Sequence, residues 1–187
     1  MTAIPALTRV WFETHSTTLD NRTGNATGWL PGELSDLGRE QAVALGVRIA
    51  ERNPDAIYCS DLGRAMQTAG IALAQIRTEI PILLDWRLRE CDYGSLNGAP
   101  TAEVHHDRRR YAENPYPGGE SWQAATTRAA AAVRDAAARH PGGTILIIGH
   151  IATRFGVRRA AGDDSSVTSM ITEPFDWQPG WKYALEV

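Results

Sequence analysis

Four short apolar runs, each bounded by turn formers, alternate along this chain with longer stretches of helical period. Val10-Trp11-Phe12, Ala56-Ile57-Tyr58-Cys59, Ile82-Leu83-Leu84 and Thr144-Ile145-Leu146-Ile147-Ile148 are rich in aromatic, β-branched and leucine side chains and read as buried strands. Ser35 predicts an N-cap for a helix whose apolar positions are Leu37, Ala42, Leu45, Val47 and Ile49 and which stops at Asn53-Pro54. Ser60-Asp61 predicts the cap of a second helix through Leu62, Met66, Ala69 and Leu73. Thr101 to Glu113 reads as a polar helix with Arg108-Arg109-Arg110 at its centre. Ser121 caps a long alanine-rich helix that ends near His140-Pro141-Gly142-Gly143, and a last helix runs from about Ala152 to Ala161. Arg22 to Glu33, Asp85 to Gly98 and Pro115 to Gly119 carry the glycines, asparagines and charges of loops. Trp177, Trp181 and Tyr183 around Gln178-Pro179-Gly180 predict a turn and an edge strand. This alternation predicts an α/β protein: a three-layer α/β/α sandwich around a mostly parallel sheet.

Bulk properties narrow the function class. The 187 residues are enough for one well-buried core, so a single domain over 1–187 is expected. A net charge of −3 offers no electrostatic footprint for nucleic acid or an acidic membrane. No apolar stretch approaches the roughly 20 residues that span a bilayer, and the first residues lack a secretory pattern, so a cytoplasmic location is expected. Cys59 and Cys91 are too few for a disulfide scaffold and have no spaced partners for zinc, which predicts two buried thiols.

The candidate chemistry gathers at strand ends. In open α/β sheets ligands bind at the carboxyl ends of the strands. His15 follows the first strand, His150 follows the clearest one, and Arg64 and Glu90 lie in the segments after the second and third. Two imidazoles, a guanidinium and a carboxyl group suit phosphoryl chemistry. A neutral imidazole attacks phosphorus and carries the group covalently, while guanidinium donors stabilise the transferring oxygens. A carboxylic acid protonates the leaving alkoxide and later takes a proton from water. Nothing in this set demands a metal or another cofactor.

The order of the motifs resembles branch 1 of the histidine phosphatase superfamily, the phosphoglycerate mutase-like type, from Val10 to about Gly156. Thr14 to Asn21 stands where that family has Arg-His-Gly and a downstream Asn. Thr27-Gly28-Trp29 and Leu34-Ser35-Asp36-Leu37-Gly38 resemble its next run. Tyr58-Cys59-Ser60-Asp61-Leu62-Gly63-Arg64-Ala65 with Gln67-Thr68-Ala69 is nearly its Ser-Asp-Leu-x-Arg-Ala-x-Gln-Thr-Ala. Leu88-Arg89-Glu90-Cys91-Asp92-Tyr93-Gly94 resembles its general-acid segment, and Pro117-Gly118-Gly119-Glu120-Ser121 and Ile148-Gly149-His150 its last two signatures. The resemblance implies a phosphomonoester hydrolase acting on a small phosphorylated metabolite through a phosphohistidine. His15 would be the nucleophile, Arg64 a phosphate clamp, Glu90 the proton donor and His150 the second imidazole. Asn21, Thr27 and Gly28 would line the pocket, and a lid of about residues 99–117 would choose the leaving group.

One departure bears on the activity. The family's arginine before the nucleophile is Thr14 here, and its glycine is Ser16. Loss of one aligned donor typically costs roughly 3 kcal/mol, or about 10² in rate. Thr14 and Ser16 hydroxyls offer neutral hydrogen bonds instead, and Arg154 or Arg22 offers charge from another direction. Glu13 is expected to point away from Thr14's side of the strand. Two alternatives stand beside the hydrolase: a non-catalytic binder of a phosphorylated ligand, and a mutase-like phosphoryl transfer. Should the lid residues His105, His106, Arg108, Arg109 and Arg110 face the pocket, an anionic or sugar-phosphate leaving group is expected. The tryptophan-rich tail is expected either to pack across the pocket or to make a homodimer contact.

Overall fold

The structure, a computed structural model, describes residues 6–187. Its five strands are β1 (Leu7–Thr14), β2 (Ala56–Cys59), β3 (Ile82–Leu84), β4 (Thr144–Gly149) and β5 (Trp181–Glu186). They form one sheet in the order β3-β2-β4-β1-β5. The first four are mutually parallel, and β5 runs antiparallel to β1 along one edge. The central strand β4 is buried at every position, as its uninterrupted apolar run predicts.

Side-chain alternation divides the core between two faces of the sheet. Val10, Phe12, Ile145 and Ile147 pack with Val133, Ala136 and Ala137 of α5 (Trp122–Ala138) and with Val157 of α6 (Ile151–Ala160). Ile57, Cys59, Leu146 and Ile148 pack on the other face with Leu45 and Ile49 of α2 (Asp36–Arg52) and with Ala65, Ala69 and Ala72 of α3 (Gly63–Leu73). The result is the expected α/β/α sandwich. Both cysteines are free and buried.

Some elements depart from the sequence expectation. In α2 the inward positions are Gly38, Ala42, Leu45, Gly46 and Ile49, while Leu37 and Val47 are exposed. Glycine replaces bulk there because the neighbouring backbone comes too close: a Cβ at Gly38 would lie 2.0 Å from the Thr17 carbonyl oxygen. Close contact at Gly38 therefore draws the start of α2 onto the loop that follows His15. Met66, expected in the buried face of α3, is exposed as well. Ser60 and Asp61 do not cap α3, whose N-cap is Leu62 without a side-chain bond. Asp61 instead holds Arg89 at 2.7 and 2.6 Å, and Ser60 is engaged by His150 at 2.9 Å. A short helix, α1 (Leu19–Thr23), reaches into the stretch read as loop. The expected helix over 101–113 is two pieces, α4 (Thr101–His106) and a 3-10 turn over Arg108–Tyr111. Asp107 breaks it, and the second piece is turned so that Arg108 donates to the Ile171 carbonyl at 3.0 Å. A further helix, α7 (Val167–Thr172), packs Val167, Met170 and Ile171 beneath this segment. Among the described residues no helix is long and apolar enough to cross a membrane.

Candidate active site

Strand pairing brings the two histidines together. Thr14 and Gly149 are register partners of β1 and β4, and the His15 N–H donates to the Gly149 carbonyl at 2.8 Å. Each histidine follows at once, so their rings stand 5.0 Å apart between centroids. The Ser60 N–H donates to the Ile148 carbonyl at 3.0 Å, which brings the end of β2 and the start of α3 to the same rim.

Arg64, in the first turn of α3, is only 2 % exposed and joins the rings. Its Nε donates to His15 Nε2 at 3.3 Å and its Nη2 to His150 Nδ1 at 3.2 Å. Nη1 donates to the Leu30 carbonyl at 3.0 Å and Nη2 also to that of Gly28 at 2.8 Å. A guanidinium has no acceptor, so both imidazole nitrogens that meet it must carry lone pairs. The remaining ring nitrogens then carry the protons: His15 Nδ1 donates to the Ser16 carbonyl at 2.8 Å, and His150 Nε2 donates to Ser60 Oγ at 2.9 Å. Burial, with the Arg64 charge second, pushes the His15 imidazole down from 6.5 to about 3. The same causes, joined by His15 itself, hold His150 well below 6.5. Both rings are neutral at neutral pH.

Gly28 is fitted to its place. Its φ is +54°, and a Cβ there would lie 1.8 Å from Asn97 Oδ1, so only glycine can turn its carbonyl to Arg64 at this point.

Glu90 is 8 % exposed. Its Oε1 accepts from the backbone N–H groups of Cys91 at 2.8 Å and Ala152 at 3.0 Å, and its Oε2 from that of Ile151 at 3.3 Å. Two of these donors open α6, so a helix terminus that follows His150 also orients the carboxylate. The Glu90 backbone is fixed too: its carbonyl accepts from Trp29 Nε1 and Arg128 Nη2, both at 2.7 Å. Arg128 in turn pairs with Glu120 and donates to the Arg87 and Arg89 carbonyls.

A cavity of about 580 Å³ opens over these groups. His15, Arg64, Glu90 and His150 line it together, as do Thr14, Asn21, Thr27, Gly28, Arg108 and Arg154. Ser16 and Arg109 do not. Ser16 is buried, its N–H donating to Thr68 Oγ1 at 3.0 Å, and Arg109 is exposed outside the lining. Arg22, also exposed, lies outside the lining. Glu13 turns away as alternation requires and is held by Arg48 and Arg52 at 2.9 and 2.7 Å. Arg154 lies over the Trp181 ring at 4.8 Å and the Phe175 ring at 5.8 Å, and its Nε is buried without a partner among the described residues. Of the lid's basic side chains only His105 and Arg108 reach the lining. Sequence reasoning missed the Arg128 anchor, which has no motif around it, and the contribution of Met170 and Phe175, which no periodicity links to the strand ends, whereas Trp177 of the tryptophan-rich tail does reach the cavity lining.

Known proteins share this fold. The structure resembles Bacillus stearothermophilus YhfR at 28% identity and a TM-score of 0.80, covering 94% of this chain and 90% of that one. It also resembles a mycobacterial glucosyl-3-phosphoglycerate phosphatase, solved with VO3, at 27% identity and a TM-score of 0.74, over 87% of this chain and 85% of that one. A 2,3-bisphosphoglycerate-dependent phosphoglycerate mutase of Tropheryma whipplei (strain Twist) is 43% identical over 93 residues, 48% of this chain and 42% of the mutase. The aligned stretch thus spans less than half of that relative. The family model of the histidine phosphatase superfamily (branch 1) matches residues 10–165, and the chain belongs to that family.

Proposed function

We propose that the chain is a phosphomonoester hydrolase that works through a phosphohistidine on His15. The observation that carries this reading is the tautomer of His15: Nδ1–H is tied to the Ser16 carbonyl, so Nε2 holds its lone pair beside Arg64 and His150 at the cavity floor. A neutral, oriented imidazole is a nucleophile at neutral pH without any prior deprotonation.

In the first step Nε2 attacks phosphorus and the P–O bond to the alcohol breaks. Glu90 gives its proton to the departing oxygen. Oε2, with a single contact at 3.3 Å, is the oxygen free to carry that proton, while Oε1 is occupied by two N–H donors. In the second step water attacks the phosphohistidine, Glu90 takes the water's proton, and the N–P bond breaks to release phosphate. Arg64 and Arg154 supply the positive charge for the phosphoryl oxygens, Arg64 from the floor and Arg154 from α6, in place of the arginine that Thr14 replaces. Hydrolysis is favoured over transfer to a second anionic group because the lid leaves Arg109 and Arg110 exposed outside the cavity lining, so that Arg108 is the one guanidinium of the basic run at the cavity.

The test is turnover and mass spectrometry together. Wild type, incubated with phosphomonoesters at mildly acidic pH, is expected to release phosphate and to yield an acid-labile phosphoryl adduct that is missing in His15→Ala. Absence of both turnover and adduct over a broad panel, with phosphate analogues still bound, would instead identify a non-catalytic binder.

A further inference from the structure

Beyond the phosphoryl floor the cavity wall changes character. On the lid side the expected basic cluster is reduced to His105 and Arg108. Burial and the Arg108 charge push the His105 imidazole down to about 4, so it is neutral at neutral pH. The Arg108 guanidinium carbon lies 4.1 Å from the Trp122 ring centroid, with Nη1 donating to the Ile171 carbonyl and Nε buried without a partner among the described residues. The opposite wall comes from α6, α7 and the segment after them: Phe155, Met170, Pro174, Phe175 and Trp177. Glu173 beside them pairs with Arg158 at 2.6 and 3.1 Å, a guanidinium that Asp163 shares at 2.7 Å.

Phe175 is 46% exposed and Trp177 54% exposed, although both border a cavity dense in polar groups. Exposed aromatic area at the mouth of a site gains by being covered, and pockets that bind organic ligands combine such walls with a few fixed polar groups. Phe175 is also held in place, its ring 6.1 Å from that of the buried Trp181, whose strand β5 is paired to β1. The aromatic wall is thereby anchored to the same sheet that carries His15.

We propose that this wall is the leaving-group site, and that the substrate is a phosphomonoester of an alcohol bearing an aromatic or comparably flat apolar group. The phosphoryl end takes the His15 floor and the apolar end packs against Phe175, Trp177, Met170 and Phe155. The inference rests on the phosphatase reading of that floor. A compact, highly charged alcohol such as a glycerate meets one lid guanidinium, Arg108, in place of the basic cluster that the lid's sequence suggests, while the aromatic wall is the larger part of this end of the cavity.

The experiment compares 2-phenylethyl phosphate with ethyl phosphate, and the two corresponding phosphonates, which cannot be hydrolysed. Both members of each pair carry the same anionic head, so effects on Arg154 or Arg64 cancel in their ratio. The phenylethyl compounds are expected to show at least about a tenfold advantage in kcat/KM and in Kd by calorimetry, equivalent to about 1.4 kcal/mol. Phe175→Ala and Trp177→Ala are each expected to cut that advantage at least about threefold. A ratio near one in wild type, or one that both variants leave unchanged, would overturn the apolar leaving-group site. A preserved phosphonate ratio without turnover of any ester would support the wall and overturn the hydrolase reading.

Discussion

Arg64 Nε lies 3.3 Å from His15 Nε2, and the same guanidinium reaches His150 Nδ1. One side chain thus fixes which nitrogen of each ring is unprotonated, while the Leu30 and Gly28 carbonyls fix the guanidinium itself. A lysine cannot reproduce this fork, since its ammonium is a point donor on a flexible stem. Arg64→Lys is expected to lower kcat/KM for phosphomonoesters by about 10² to 10³. Arg64→Ala should add a lower melting temperature, because the buried Gly28 carbonyl loses its partner. Steady-state kinetics with thermal unfolding separates the two effects, and an Arg64→Lys enzyme within threefold of wild type would remove Arg64 from the chemistry.

Glu90→Gln keeps an acceptor for the Cys91 and Ala152 N–H groups, so the fold around α6 should survive. The variant cannot donate a carboxylic proton. Alkyl phosphates, whose alkoxides need that proton, are expected to slow by about 10² to 10⁴, whereas p-nitrophenyl phosphate should slow by less than about tenfold. The slope of log kcat/KM against leaving-group pKa is the measurement. Equal losses for both classes would mean that Glu90 positions the site and does not act as its acid.

Much of this arrangement is legible in the residues before any coordinates. Runs such as Thr144 to Ile148 announce central strands, and a histidine directly after such a run is placed at the rim by the fold class alone. Sequence does not show that β1 and β4 are neighbours in register, which is what sets the two rings side by side. Gly38 and Gly46 hide the true inward face of α2, because glycines that permit close backbone approach carry no hydrophobic signal. The lid misleads for a similar reason: a run of arginines looks like a basic patch, yet the break at Asp107 decides which of them meets the cavity. Phe175 and Trp177 belong to a segment without period, and the place of Phe175 depends on packing against Trp181.

Stability should fall with acidity well above the carboxylate range. His15 and His150 are held neutral in the folded state, with His15 lowered to about 3 and His150 well below 6.5. In the unfolded chain both titrate near 6.5, so below that pH the unfolded state binds more protons and the folded state loses ground. The loss begins at about pH 6.5 and continues until the folded-state values are reached. Asp163, lowered to about 2, acts in the same direction but only below its ordinary 3.8. Urea midpoints are therefore expected to drop steadily between about pH 6.5 and 4.5. His15→Ala should show a shallower drop, and His105→Gln, which removes the third lowered imidazole, is expected to act in the same direction. A flat profile in wild type over that interval would contradict neutral buried imidazoles.

Thr14 and Arg154 form a testable pair, since both line the cavity and the proposed hydrolysis draws from Arg154 the charge missing at residue 14. Arg154→Met removes the guanidinium that lies over Trp181 and Phe175 while retaining an apolar chain to pack there. It is expected to lower kcat/KM by about 10², the usual loss for one aligned charged donor. Thr14→Arg restores a cation beside His15 and should raise kcat/KM by about tenfold. The decisive quantity is the coupling in the double variant. If Arg154 does the work of the absent arginine, its removal should cost about tenfold or less once residue 14 is Arg, a coupling of about 1.4 kcal/mol or more. Additive effects would instead mean that Arg154 acts on another part of the substrate, and that the hydrolysis runs with Arg64 as its sole guanidinium at phosphorus.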